Sequence, residues 1–228
     1  MLAWFELPVL ALIAACSIGI WAFIEVADAV TEGEARGLDE LLLRALRNKA
    51  NLSDPLGPRW VEEMARDFSA LGGLGVLLLI TAASVAYLLL MRKRHAAWLV
   101  LLAVGGGILI STFFKAGFDR ARPELVAHLS HVYSASFPSG HSMMSAVVYL
   151  TLGALLARMH ERWAARAFFL MTAAVITGLV GLSRIYLGVH WPTDVLAGWS
   201  AGSAWAIACW LAALWFQRRG AVEPAVPS

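Results

Sequence analysis

Six stretches of this chain, residues 4–24, 70–91, 96–114, 142–159, 163–182 and 195–216, stay apolar for close to the length that a helix needs to cross a bilayer. That length is about twenty residues, and a helix satisfies its own backbone there because hydrocarbon offers no hydrogen-bond partners. Six such runs predict an all-α, polytopic membrane protein with six transmembrane helices. One soluble core is excluded by composition: 60% of the 228 residues are hydrophobic and only 15% charged, with a mean hydropathy of +0.69. A domain of this size has no interior large enough to hide so much apolar surface. The formal charge of +2 gives no reason to expect a nucleic-acid partner.

The short loops set the orientation. "MRKRH" (91–95) joins spans two and three, "RMHERWAAR" (158–166) joins four and five, and "QRR" (217–219) follows six. Parity puts all three on one side, and clustered Lys and Arg mark that side as cytoplasmic. Both termini are then expected in the cytoplasm, with the chain multi-pass in the cell (inner) membrane. "LIAAC" (12–16) resembles a lipoprotein cleavage and acylation site, but no basic residues precede it and the chain stays apolar through Ile24. An uncleaved first span is expected. Cys16 and Cys209 lie inside apolar runs and read as small hydrophobes, not as a disulfide or metal pair.

Residues 25–69, between spans one and two, fall outside the cytoplasm by the same parity. Leu38, Leu41, Leu42, Ala45 and Leu46 recur at helical spacing, and Trp60, Met64 and Phe68 do so after the break at "SDPLGP". Two amphipathic helices lying on the membrane surface are predicted, against the competing reading of a solvated linker. Residues 1–219 form one membrane-embedded domain on this reading, and residues 220–228 a disordered tail.

Polar residues collect at the span ends on the non-cytoplasmic face. "KAGFDRARP" closes span three with Lys115 and Arg122, "PSGH" (138–141) opens span four, and "SRIYLGVHWPTD" (183–194) joins spans five and six. Alone, each is ordinary: a cation at a span end is an interfacial anchor, and "PSG" before a helix is a turn and an N-cap. Together they describe a site for a tetrahedral dianion. Lys115, Arg122 and Arg184 can neutralise phosphoryl oxygens. Ser139 and the N–H groups of Ser139, Gly140 and His141 point at an anion from a helix start, and Gly140 lets the backbone come close. Asp194, four residues after His190, can fix the imidazole tautomer and leave the other nitrogen as a nucleophile; Pro192 suits a first helical turn. His141, at the edge of the cradle, can protonate a leaving alkoxide.

These three segments resemble the three-part signature of the type 2 phosphatidic acid phosphatase superfamily, the lipid phosphate phosphatases, which share their site with vanadium haloperoxidases. Lys, six residues and Arg-Pro match its first motif; Pro-Ser-Gly-His its second; Ser-Arg, five residues, His, three residues and Asp its third. The resemblance implies a phosphohistidine on His190, orientation by Asp194, and His141 as general acid and then general base. It assigns phosphate binding to Lys115, Arg122, Ser139, Gly140 and Arg184. It also implies no cofactor and no metal ion, in keeping with a sequence that lacks the carboxylate cluster of a magnesium phosphatase. The expected substrate is a lipid phosphate at the outer leaflet: phosphatidate, phosphatidylglycerol phosphate or an isoprenyl diphosphate. Transfer of the phosphoryl group to an acceptor other than water, or a silent binding or transport role, remain as competing readings. The motifs recognise phosphate and leave the lipid tail and the oligomeric state open.

Overall fold

The computed structural model of the protein describes residues 2–124, 126 and 135–218, so the expected tail at 220–228 lies outside the described residues. The chain begins with α1 (Leu2–Thr31), followed by α2 (Arg36–Ala45) and a two-stranded antiparallel hairpin of β1 (Arg47–Asn48) and β2 (Asn51–Pro55). Next come α3 (Arg59–Leu71), α4 (Leu74–Leu90), α5 (Arg94–Phe118), α6 (Gly140–Arg158), α7 (Trp163–Tyr186) and α8 (Pro192–Arg218). Five of these are long and apolar enough singly to cross a membrane: α1, α5, α6, α7 and α8. A sixth span is made if α3 and α4, which meet at a bend of 48°, are taken together.

The expected second span, 70–91, is therefore broken at residues 72 and 73, and Gly72 supplies the reason. A Cβ on Gly72 would collide with Val180 and come within 3.2 Å of the Cβ of His141, so only glycine lets the bend seat against α6 and α7. The carbonyl of Leu71, released from the helical ladder there, accepts from the Tyr149 hydroxyl at 2.8 Å.

α6 is the central helix: Ser142–Tyr149 are buried without interruption. The surrounding spans turn Leu79, Leu109, Phe113 and Phe168 outward, as residues facing lipid should be. Small residues bring α8 close to two neighbours. A Cβ on Gly19 of α1 would lie 3.1 Å from the Cβ of Ala204, and one on Gly198 would lie 2.7 Å from the Ser139 carbonyl oxygen. Arg158 at the end of α6 bonds Gln217 near the end of α8 at 2.9 Å, so the basic loops share one end of the bundle. The opposite end carries the three polar segments.

The segment between α1 and α4 contains the two expected helices, with the hairpin filling the break between them. Its burial pattern is inverted relative to a soluble protein. Leu38, Leu41 and Leu42 of α2 are exposed, as are Trp60 and Met64 of α3, whereas Asp39 and Leu43 are fully buried. An apolar stripe left outward and a carboxylate turned inward suit helices whose outer surroundings are the membrane boundary.

Candidate active site

Four helix ends build the site. α5 ends at Phe118 because Asp119 takes the left-handed conformation (φ 37°), tolerated best by Asn, Asp and Gly, and the chain turns back there to present Arg120 and Arg122. Lys115, on the last turn of α5, lies against the start of α6. A Cβ on Gly140 would sit 3.3 Å from the Lys115 Cε and 3.5 Å from its Nζ. Glycine leaves the room for that approach.

Ser139 caps α6: its Oγ accepts from the Ser142 N–H at 3.4 Å and from the Ser142 hydroxyl at 2.9 Å. Its N–H donates to the Asp194 carbonyl at 2.9 Å, tying α6 to α8. The sequence led us to expect three N–H groups aimed at an anion. That of Ser139 is occupied by this tie, while those of Gly140 and His141 belong to the first turn, where no intrahelical acceptor exists.

α8 begins with Trp191 as N-cap and Pro192 in the first helical position, where a missing N–H costs nothing. Asp194, at the third position, reaches back to the Trp191 N–H at 2.9 Å in one half of a capping box. The same Oδ2 meets His190 Nδ1 at 3.3 Å. On the other side of the ring, Arg122 Nη1 lies 3.2 Å from His190 Nε2. A guanidinium can only donate, so Nε2 is the acceptor and the ring proton belongs on Nδ1, facing the carboxylate. Burial holds the His190 imidazole down to about 4, against the opposing pull of Asp194. The ring is therefore neutral at pH 7, with its lone pair on Nε2.

Arg122 lies against that lone pair, and Arg184 is within electrostatic range of the ring. Arg122 Nη1 also donates to the Val189 carbonyl at 2.5 Å. Arg184, 3% exposed, is held by Ser69 at the end of α3, whose Oγ accepts from Nη1 at 2.6 Å. Its Nε is buried with no hydrogen-bond acceptor among the described residues. Such a donor is costly to leave unmet, which marks the place where an anionic oxygen fits. His141 lies within electrostatic range of His190, Arg184, Lys115 and Arg122, and Lys115 within range of Arg122, Arg184 and Asp194. Every site residue expected from sequence is thus brought to one place.

Sequence reasoning missed Arg120, Ser136, Ser69, Thr193 and Asp39. Ser136 donates to Asp194 Oδ2, and Arg120 Nη1 donates to Oδ1 at 2.6 Å. Arg120 stands inside "KAGFDRARP" and Ser136 just before "PSGH", and a charged residue so close to the site could have been weighed. Asp39 had no such signal. It sits on α2, on what reads as a polar face.

Comparison with known proteins places the chain in a family. The PAP2 superfamily pattern matches residues 96–218. Phosphatidylglycerophosphatase B of Bacillus subtilis is 34% identical over 182 residues, covering 79% of this chain and 85% of that protein. A lipid A 1-phosphatase of Rhizobium johnstonii is 29% identical over 165 residues, 68% of this chain and 62% of that one. The crystal structure of the first transmembrane PAP2 type phosphatidylglycerolphosphate phosphatase from Bacillus subtilis superposes with a TM-score of 0.77 at 30% identity, covering 90% of this chain and 96% of the other. With the signature segments in sequence, the site they form in the fold and likeness along most of its length, the chain belongs to the PAP2 superfamily of membrane lipid phosphatases.

Proposed function

We propose that the protein hydrolyses the phosphate monoester or diphosphate of a membrane lipid at the extracytoplasmic leaflet, through a phosphohistidine on His190. The observation that carries this reading is the orientation of His190: Nδ1 held by Asp194, Nε2 bearing the lone pair beside Arg122, with Arg184 in electrostatic range of the ring and Lys115 in range of both arginines. Phosphate between those cations would lie in line with Nε2. Attack forms the N–P bond as the P–O bond to the leaving group breaks, and His141 donates its proton to the departing oxygen. In the second half His141 removes a proton from water, the water oxygen attacks phosphorus, the N–P bond breaks and phosphate leaves. The cations stabilise charge that grows on the phosphoryl oxygens in both steps.

Phosphatidate, phosphatidylglycerol phosphate and an isoprenyl diphosphate all present the group this site accommodates. The placement on the outer leaflet rests on the basic loops at Arg92–Arg94 and at 158–166, at the other end of the bundle. The test is phosphate release by purified protein from these three lipids, together with acid quenching to trap the phosphoenzyme. His190→Ala should abolish both signals. His141→Ala should slow turnover, least for substrates with good leaving groups. Near-wild-type turnover in the His190 variant, or no release from any of the three lipids, would overturn the proposal.

A further inference from the structure

A carboxylate on the outer helix α2 reaches the catalytic pair through two residues. Asp39 is fully buried, and a buried charge persists only where partners compensate it. Its partners all belong to the site. Oδ1 accepts from the Thr193 N–H at 2.9 Å, and Oδ2 from the Thr193 hydroxyl at 2.6 Å and from Arg120 Nη2 at 2.7 Å. The Thr193 N–H is one of the orphan donors at the start of α8, so Asp39 caps that helix from a different element. Arg120 Nη1 then bonds Asp194 Oδ1 at 2.6 Å and Thr193 Oγ1 at 2.8 Å. With Oδ1 gripped by Arg120, Oδ2 is left to His190, Ser136 and the Trp191 N–H.

We infer that Asp39 is a positioning residue for catalysis: acting through Arg120 and Thr193, it sets the carboxylate plane of Asp194 and thereby the aim of His190 Nε2. The inference rests on the reading of His190 as nucleophile. It makes α2 part of the reaction machinery and not only a wall beside it. Leu43, one turn further on the same buried face, packs on Val126 and Trp191 and, being apolar, forms none of the ion pairs itself. It therefore separates loss of packing from loss of aim.

The experiment uses the full chain and whichever of the three lipids is turned over fastest, with steady-state and single-turnover rates for Asp39→Asn, Asp39→Glu and Leu43→Ala. Asparagine keeps the shape of the side chain but loses the charge that holds Arg120. Removing an orienting partner behind a catalytic group typically costs about 10- to 100-fold, so kcat and the rate of phosphoenzyme formation should fall by that much with KM little changed. Glutamate should restore part of the loss. Leu43→Ala should lower the melting temperature while kcat stays near wild type. An Asp39→Asn protein with wild-type kcat, a loss confined to KM, or an equal kcat loss in Leu43→Ala would each overturn the inference. Should Asp39→Asn not be recovered folded, Arg120→Lys carries the same test, because one ammonium cannot span the two carboxylates that separate guanidinium nitrogens now hold. Unchanged kcat there overturns it equally. An inactive His190→Ala beside a normal Asp39→Asn sinks this inference alone, whereas an active His190→Ala sinks the reading beneath it.

Discussion

Replacing Arg184 by Lys keeps one positive charge at the centre of the site and removes the fork that carries it. In the native protein Nη1 is engaged by Ser69 at 2.6 Å while the buried Nε has no acceptor among the described residues. A phosphoryl oxygen would take that Nε. Hydrogen bonds to charged groups contribute about 1.5–3 kcal/mol, so Arg184→Lys should lower kcat/KM by about 10- to 150-fold. Ser69→Ala removes only the bond that aims the guanidinium, at about 0.5–1.5 kcal/mol, and should cost about 2- to 12-fold. Melting with vanadate, a phosphate mimic, gives an independent readout. At a concentration of about 100 times its Kd the ligand should stabilise the wild-type protein by about 2.7 kcal/mol, and a tenfold weaker Kd in Arg184→Lys would leave about 1.4 kcal/mol. Without ligand, Arg184→Lys should lose little more than the Ser69 bond, about 0.5–1.5 kcal/mol, since the charge is kept and the unmet Nε donor leaves with the fork. Unchanged kcat/KM with equal stabilisation by vanadate would refute the assignment of Nε to phosphate. A large fall in the ligand-free melting temperature would make Arg184 a structural residue.

Further outcomes follow from the same geometry. Because His190 is depressed from its ordinary 6.5 to about 4, its neutral form persists well below pH 7; with a good leaving group, kcat/KM corrected for substrate ionisation should hold from about pH 7 to about pH 5 and fall toward pH 4. An acid limb near the ordinary histidine pKa would contradict that environment. Chelators should leave turnover unchanged, and a loss with EDTA that magnesium restores would refute a metal-free phosphohistidine route. In intact cells Glu124→Cys should react with an impermeant thiol reagent and Lys93→Cys should not, the reverse pattern moving the reaction to the cytoplasmic leaflet. Leu42 is exposed and Leu46 half-buried at the outer segment; replacing both by Asp should weaken long-chain lipids far more than a short soluble phosphate ester, because exposing chain costs about 0.8 kcal/mol per CH₂. Equal losses for both substrate lengths, in folded protein, would show that the segment does not select the tail.

Much of this protein was legible from local rules. Spans are set by runs of apolar residues, since in hydrocarbon each helix meets its own backbone needs, and the order of six spans brings Lys115, Arg122, Ser139, Gly140, His141, Arg184, His190 and Asp194 to one end of a bundle. The spacing of His190 and Asp194 across the start of α8 is likewise local, a helix cap and a histidine four residues apart. What the sequence could not determine is which side of an amphipathic helix faces the protein. In water the polar face of α2 would be turned out. At a membrane boundary the leucines can face outward, and Asp39 turns inward to meet Arg120, 81 residues away along the chain. The bend at Gly72 is of the same kind, because the atoms that forbid a side chain there belong to α6 and α7. Tertiary structure alone decided these contacts, since a buried charge or a missing Cβ has meaning only once the partner that compensates or crowds it has been brought alongside.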